Sequence, residues 1–283
     1  MAVATQLDIR PLSPIIGAEI HGLDLARPLS PEQVDGVRQA LNTHHVVFFR
    51  DQELSPAGQA EFARQFGEVT EGHPVLPALE GHREVLAIDG AADRASWWHT
   101  DVTFLQAPAF GSILAMQVCP EVGGDTTWAS LQDAYDRLSD PVRAMCDTLI
   151  AIHFDPWFAA DVQERGGYEW EGTRYEKLLP ALHPVVRTHP ENGRNGLFVN
   201  PQFTQSILGL STHESDGVLD MLYRHCTQPE LTCRFRWQPG SVAFWDNRAT
   251  LHYALDDYGS AARIAHRVTL RGDVPYGPAV PRR

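Results

Sequence analysis

Residues Val242–Tyr253 read VAFWDNRATLHY: a short, mostly apolar run, a polar turn, and a histidine a few residues beyond it. An apolar run of this length, rich in aromatic and β-branched residues and closed by turn chemistry, is the mark of a buried strand. The pattern repeats on both sides. Ile264–Arg271 and Ser241–Trp245 read as strands, as do Cys233–Gln238, Gly196–Asn200, His183–Arg187, Gly111–Val118 and His45–Arg50. Gly123-Gly124-Asp125 reads as a turn. Helices are expected where capping chemistry meets helical spacing. Ser30-Pro31-Glu32-Gln33 opens one by a capping box, Ser55–Phe66 and Leu131–Leu138 are two more, and Ser211–Cys226 has Ser211 as its cap and Glu214 at the third position. Strands dominate the second half of the chain, so the fold is expected to be mainly β with flanking helices, a sandwich or barrel. Gly166–Leu178 is polar and aromatic and reads as a mobile loop, a candidate lid.

The chain has 283 residues, 43% apolar and 21% charged, with a net charge of −13. No repeat or linker divides it, and a single domain over 1–283 is expected. Such an acid balance argues against a nucleic-acid or anionic-membrane binder, which needs a basic face. The opening MAVATQLDIRPLSP lacks the basic and apolar regions of a signal peptide, and no apolar run reaches the ~18 residues of a membrane span. Cys119, Cys146, Cys226 and Cys233 are scattered, which suits free thiols in a cytoplasmic protein.

Trp97–Phe104 reads WWHTDVTF and places His99 and Asp101 two residues apart. On a strand, both side chains would face the same way. A histidine and a carboxylate are two-thirds of the facial triad of non-haem iron, and His252 is a candidate for the third ligand. The spacing alone also suits a structural polar pair, and it recurs at His153-Phe154-Asp155. Beyond His252, Arg263, Arg267 and Arg271 share a face of a strand, and being four apart they share a face of a helix too. Three aligned guanidinium groups would suit anionic ligands, or merely a solvated edge strand.

WHTDVTF, GGDT, WDNRATLHYA and R-I-x-H-R-x-T-L-x-G-D together resemble the taurine dioxygenase family of Fe(II)/2-oxoglutarate-dependent dioxygenases. The likeness extends to Pro11–Gly22, Val46–Gln52, Leu182–His189, Leu197–Phe203 and Arg236–Pro239, so it covers nearly the whole chain. The resemblance implies a double-stranded β-helix, or jelly roll. It implies that His99, Asp101 and His252 are the iron ligands and the catalytic centre, and that Thr126 and Arg263 hold the distal carboxylate of the cosubstrate 2-oxoglutarate. Arg267 would bind the acidic group of a small anionic substrate, a sulfonate or sulfate ester, with His73 and Phe203 also in its pocket. The implied reaction consumes dioxygen, hydroxylates the carbon next to that group, and releases an aldehyde plus sulfite or sulfate, with succinate and carbon dioxide. His153-Phe154-Asp155 falls where the family has no ligand and is then structural. The family also implies a homo-oligomer, a dimer or tetramer.

The match weakens where members that take taurine contact its amine. A family tyrosine is replaced by Leu76, and an asparagine before the H-x-D motif is lost in Ala95-Ser96-Trp97. Polarity also gives way to bulk around Trp157-Phe158. A buried ammonium without partners is costly. Leu76, Trp97 and Phe158 are therefore expected to shape an apolar pocket for an alkyl chain. A zinc hydrolase on the same ligands and a non-catalytic jelly-roll binding protein are the readings from other classes.

Overall fold

The computed structural model describes residues 7–74, 78–90, 96–170 and 172–282. One large sheet runs Asp8–Pro11, Ala18–His21, Val46–Phe49, Val242–Asp246, Gly111–Val118, Ile264–Leu270, His82–Asp89 and Ala78–Leu79 in spatial order. Pairing is antiparallel except between Ala18–His21 and Val46–Phe49. A second sheet is built of Thr232–Phe235, Thr126–Ser130 and Thr250–Ala254, with the middle strand pairing both neighbours antiparallel.

Period-two alternation explains how the sheets stack. In the large sheet, Val46, Phe48, Leu114, Met116, Ala243, Trp245 and Ala265 point one way. They meet Trp128, Cys233 and Phe235 of the second sheet in a single buried cluster. Val47, Phe49, Ile113, Ala115, Val242, Phe244 and Val268 point the other way, against the helices Pro31–His44 and Pro56–Arg64. The outer face of the second sheet is covered by Leu131–Asp136 and Thr212–Cys226. This is the expected jelly roll, mainly β with helices outside, and its sheets do not close into a barrel.

The capping chemistry held. Ser30 and Gln33 form a capping box, and Ser211 and Glu214 form another. Boundaries shifted where backbone geometry intervened. His45 was expected to open a strand, but it ends the first helix in the left-handed region at φ 63°. The expected Gly196–Asn200 strand is Asn195–Leu197. Two helices, Asp140–Cys146 and Pro156–Arg165, were not anticipated, although Asp155 caps the latter through the Trp157 and Phe158 amides. The segment expected to be a loop, Gly166–Leu178, contains an antiparallel hairpin of Tyr168–Trp170 and Thr173–Tyr175. All four cysteines are free. Among the described residues, no helix is long and apolar enough to cross a membrane.

Candidate active site

His252 lies on the Thr250–Ala254 strand, opposite Trp128 in the register. His99 and Asp101 come from the segment that joins two strands of the large sheet, His82–Asp89 and Gly111–Val118. His99 forms an isolated antiparallel bridge with His252. Asp101 is not on a strand, so the expected strand-face argument does not apply to it. The chain turns at Asp101, and Val102 takes φ 47°. A β-branched residue in that region is a true outlier, held there by its surroundings. The turn still delivers the carboxylate to the two imidazoles.

The three side chains are buried, and their ligand atoms all lie within 4.8 Å of one another. Asp101 Oδ1 is 3.9 Å from His99 Nε2 and 3.7 Å from His252 Nε2. The His99 Nδ1–H donates to the Trp97 carbonyl at 2.9 Å. A carbonyl only accepts, so this bond leaves the Nε2 lone pair free to face the cluster. The second oxygen of Asp101 is occupied: Ser112 Oγ donates to Oδ2 at 2.7 Å, and Asn247 Nδ2 donates at 3.4 Å. Arg267 Nη1 donates to Oδ1 at 3.0 Å.

Electrostatics set the protonation states a cation needs. Burial alone would raise the Asp101 pKa. The charge of Arg267, then His252 and His99, and the Ser112 hydrogen bond outweigh burial and hold the carboxyl below its ordinary range. Burial is the main cause that lowers both histidines, with Asp101 opposing it. The cluster therefore offers two neutral nitrogens and one carboxylate oxygen on one side. That donor set fits a non-haem divalent ion with open positions on the other side.

Next to the cluster, a cavity between the sheets is lined by His99, Thr126, Trp237, His252, Arg263 and Arg267 among others. Arg263 Nε donates to the Gly124 carbonyl at 3.0 Å, and Nη2 to Thr126 Oγ1 at 3.3 Å. Trp237 Nε1 also donates to that hydroxyl oxygen, at 3.0 Å. Gly124 is required here. Its φ is 69°, and a Cβ would stand 3.0 Å from Pro120 and 3.2 Å from Arg263.

Of the expected arginines, Arg263 and Arg267 converge on the site. Arg271 does not, because the strand ends at Leu270 and the Arg271 side chain turns outward to Glu68 at 3.2 Å. His73 lies near enough for the charges of Arg267 and Asp101 to act on it. Burial first, then Arg267, pushes its pKa down to about 3. The Phe203 ring stands edge-on to His99, with centroids 6.5 Å apart. Phe158 packs against Phe104 in the apolar cluster that also holds Phe203. Trp97 is 48% exposed and touches the site through its carbonyl. Leu76 lies outside the described residues. His153 is fully buried, bonded to Thr103 Oγ1 at 3.0 Å, while Asp155 caps a helix, so the second H-x-D motif supplies no cluster.

Sequence reasoning missed Ser112, Asn247 and Trp237. Ser112 was visible as the polar residue early in an otherwise apolar strand, and Asn247 as the centre of a turn too polar to be buried without partners. Trp245 Nε1 donates to Asn247 Oδ1 at 2.9 Å. Beside it, the buried Asp246 accepts from Arg248 Nη2 at 2.6 Å and from His189 Nε2 at 2.9 Å, which anchors the turn.

A family model described as "Taurine catabolism dioxygenase TauD, TfdA family" matches residues 8–269. The chain is 42% identical to an alpha-ketoglutarate-dependent sulfate ester dioxygenase of Pseudomonas putida, over 97% of this chain and 92% of that protein. It is 38% identical to an alkylsulfatase of Acinetobacter baylyi, over 96% and 87%. A crystal structure of a taurine dioxygenase from Burkholderia xenovorans superposes with a TM-score of 0.85 at 44% identity, covering 97% of this chain and 92% of that one.

Proposed function

The chain belongs to the taurine catabolism dioxygenase family, and from that membership we propose an Fe(II)- and 2-oxoglutarate-dependent dioxygenase acting on a small organic sulfate ester or sulfonate with an apolar tail. The observation that carries this reading is the buried His99–Asp101–His252 cluster, with Arg267 on one side and the Arg263–Thr126 pair in the adjoining cavity. His99 Nε2, Asp101 Oδ1 and His252 Nε2 would hold the iron. Iron in that position supplies the oxidising chemistry, coupling decarboxylation of 2-oxoglutarate by dioxygen to hydroxylation of the substrate.

The protein's own groups bind and orient. Arg263 and Thr126 take the distal carboxylate of 2-oxoglutarate. Trp237 donates to the Thr126 oxygen and so leaves the Thr126 hydrogen to point at that ligand. Arg267 takes the sulfate or sulfonate oxygens, and its Nε is a buried donor with no hydrogen-bond partner among the described residues. His73 is neutral, so it can hydrogen-bond to the same group without adding a charge. Phe203 and Phe158 keep the surroundings apolar, and Trp97 stands at the rim. The substrate carbon beside the oxygen or sulfur is thereby held at the metal face. Once hydroxylated it carries a hydroxyl, which loses its proton and becomes the carbonyl oxygen, and the sulfur-bearing group, which leaves with the bonding electron pair. It collapses to an aldehyde, with sulfate leaving an ester or sulfite leaving a sulfonate.

A sulfate ester is favoured because the two curated relatives at 42% and 38% identity are named for sulfate esters and alkyl sulfates. The test supplies Fe(II), 2-oxoglutarate and either hexyl sulfate, hexanesulfonate or taurine, and measures succinate, sulfate and sulfite. Hexyl sulfate should give succinate and sulfate in equal amounts, and Asp101→Ala should abolish both. A clear preference for taurine would refute the apolar-tail reading. Turnover without 2-oxoglutarate would indicate a hydrolase, and binding without turnover a non-catalytic protein.

A further inference from the structure

The turn that delivers Asp101 is held from behind by a knot of buried polar side chains. Val102, at φ 47°, is followed by Thr103, which is fully buried. Thr103 Oγ1 accepts from Asn200 Nδ2 at 2.9 Å and stands 3.0 Å from His153 Nδ1. An amide nitrogen only donates, so the Thr103 hydroxyl hydrogen is left for the histidine nitrogen. His183 Nε2 donates to the Thr103 and Leu105 carbonyls at 2.9 and 3.1 Å. A β-branched residue keeps a positive φ only where its neighbours over-determine it, and these contacts do so for Val102.

Asn200 spends the other end of its amide on a different segment. Its Oδ1 accepts from the Phe203 N–H at 2.8 Å. Thr204 closes the turn: Asn200 N donates to Thr204 Oγ1 at 2.9 Å, and Thr204 N to Asn200 O at 3.1 Å. The Phe203 carbonyl accepts from Phe154 N at 2.8 Å. The ring so placed stands edge-on to His99, with its centroid 5.0 Å from that of Phe104, the residue after Thr103. Asn200 is 1% exposed. One primary amide therefore joins the Asp101 turn to the Phe203 turn, across 97 residues of chain. Buried hydrogen bonds in series tie the positions of the groups they connect.

We propose that Asn200 is a positioning residue that locks the Asp101 turn to the Phe203 wall, so that metal at the cluster and substrate against the wall share one register. The inference rests on the metal and pocket readings above and adds what fixes one relative to the other. With the link cut, the substrate carbon is no longer held at the metal face, while Arg263 and Thr126 still take 2-oxoglutarate. Consumption of 2-oxoglutarate then outruns hydroxylation.

The test follows amide hydrogen–deuterium exchange by mass spectrometry, with Mn(II) as the metal and no turnover. In wild type, Mn(II) should slow exchange over 99–105 and also over 200–204, which holds no ligand. The second effect should be about fivefold, the worth of one net buried hydrogen bond. Thr103→Val is close in shape but removes the acceptor of Asn200 Nδ2. It should abolish the slowing over 200–204 and keep it over 99–101. Thr103→Ser retains the hydroxyl and should restore it. No Mn(II) effect anywhere would refute the metal reading, and the inference with it. An effect confined to 99–105 in wild type, or one over 200–204 that survives Thr103→Val, would overturn the inference alone.

A second arm measures sulfate against succinate with hexyl sulfate. Asn200→Ala and Thr103→Val should each lower the ratio from near one to about one half or less, with the 2-oxoglutarate KM unchanged. Thr103→Val keeps this arm open where Asn200→Ala does not fold. A merely structural role would lower the unfolding midpoint and leave the ratio at one, and that result would overturn the inference.

Discussion

His99 and His252 exchange both of their backbone hydrogen bonds: His99 N donates to His252 O at 3.0 Å, and His252 N to His99 O at 2.8 Å. Two candidate ligands distant in sequence are thus set by the main chain, before their side chains take part. The bridge fastens the long connection of the large sheet to the edge of the second sheet. It brings the imidazole centroids to 4.1 Å. Rigid support of this kind is what a metal site needs to impose its geometry.

Ser112 should matter to metal affinity although it touches no metal. Its 2.7 Å hydrogen bond holds Asp101 Oδ2 and leaves Oδ1 for the cluster. Ser112→Ala should weaken Mn(II) or Fe(II) binding by about 10- to 100-fold, the usual range for such supporting groups, and leave the unfolding midpoint nearly unchanged. Isothermal titration checks the first outcome and thermal denaturation the second. Unchanged affinity would count against the role.

Arg263 and Thr126 should govern 2-oxoglutarate alone. Arg263→Gln removes a charge-assisted contact to a carboxylate, worth about 1.5–3 kcal/mol, and should raise the 2-oxoglutarate KM by about 10- to 100-fold. Thr126→Val removes a neutral hydroxyl and should raise it by less. Metal affinity measured without 2-oxoglutarate should stay at the wild-type value in both variants.

The buried His183 should make the fold acid-sensitive well above the carboxylate range. Its Nε2–H donates to the Thr103 and Leu105 carbonyls at 2.9 and 3.1 Å, and burial pushes its pKa down to about 4. Below pH 6.5 the unfolded chain takes up a proton that the folded chain refuses, so stability falls as pH falls, until about pH 4. The loss is at most ~1.4 kcal/mol per pH unit for each such histidine. Urea unfolding across pH 7 to 4 should show this slope, and His183→Gln should flatten it by one proton's share.

Asp246→Ala should be among the most damaging substitutions outside the metal cluster. The carboxylate is 1% exposed and is shared by Arg248 and His189. Removing it strips Arg248 of its nearest anion in a buried setting, which costs about 3–5 kcal/mol. Arg248 Nη2 also donates to Glu191 Oε1 at 2.8 Å; urea denaturation reads the loss directly, and a shift below ~1 kcal/mol would show that Glu191 suffices as partner.

The strands were legible because they are continuous apolar runs closed by turn residues, as expected of strands buried on both faces: Val46 and Phe48 face one cluster while Val47 and Phe49 face the other. The metal cluster was legible by spacing and resemblance, but the strand geometry expected for Asp101 was wrong. A left-handed Val102 cannot be read from a residue that ordinarily avoids that region. Ser112 and Asn247 were hidden for another reason: their roles exist only through contacts with Asp101, distant in sequence. The helices at Asp140 and Pro156 carried proline start signals, but they lay in a stretch whose periodicity is weak.

The 3.0 Å contact between Arg267 and Asp101 separates two events that many metalloproteins join. With the arginine beside it, the buried carboxylate is neutralised before any ion arrives. Folding then need not wait for a metal, in contrast to small zinc domains that remain unfolded until loaded. Stripped of any metal by a chelator, the protein should keep its fold and its thermal midpoint, with the cluster ready to be reloaded.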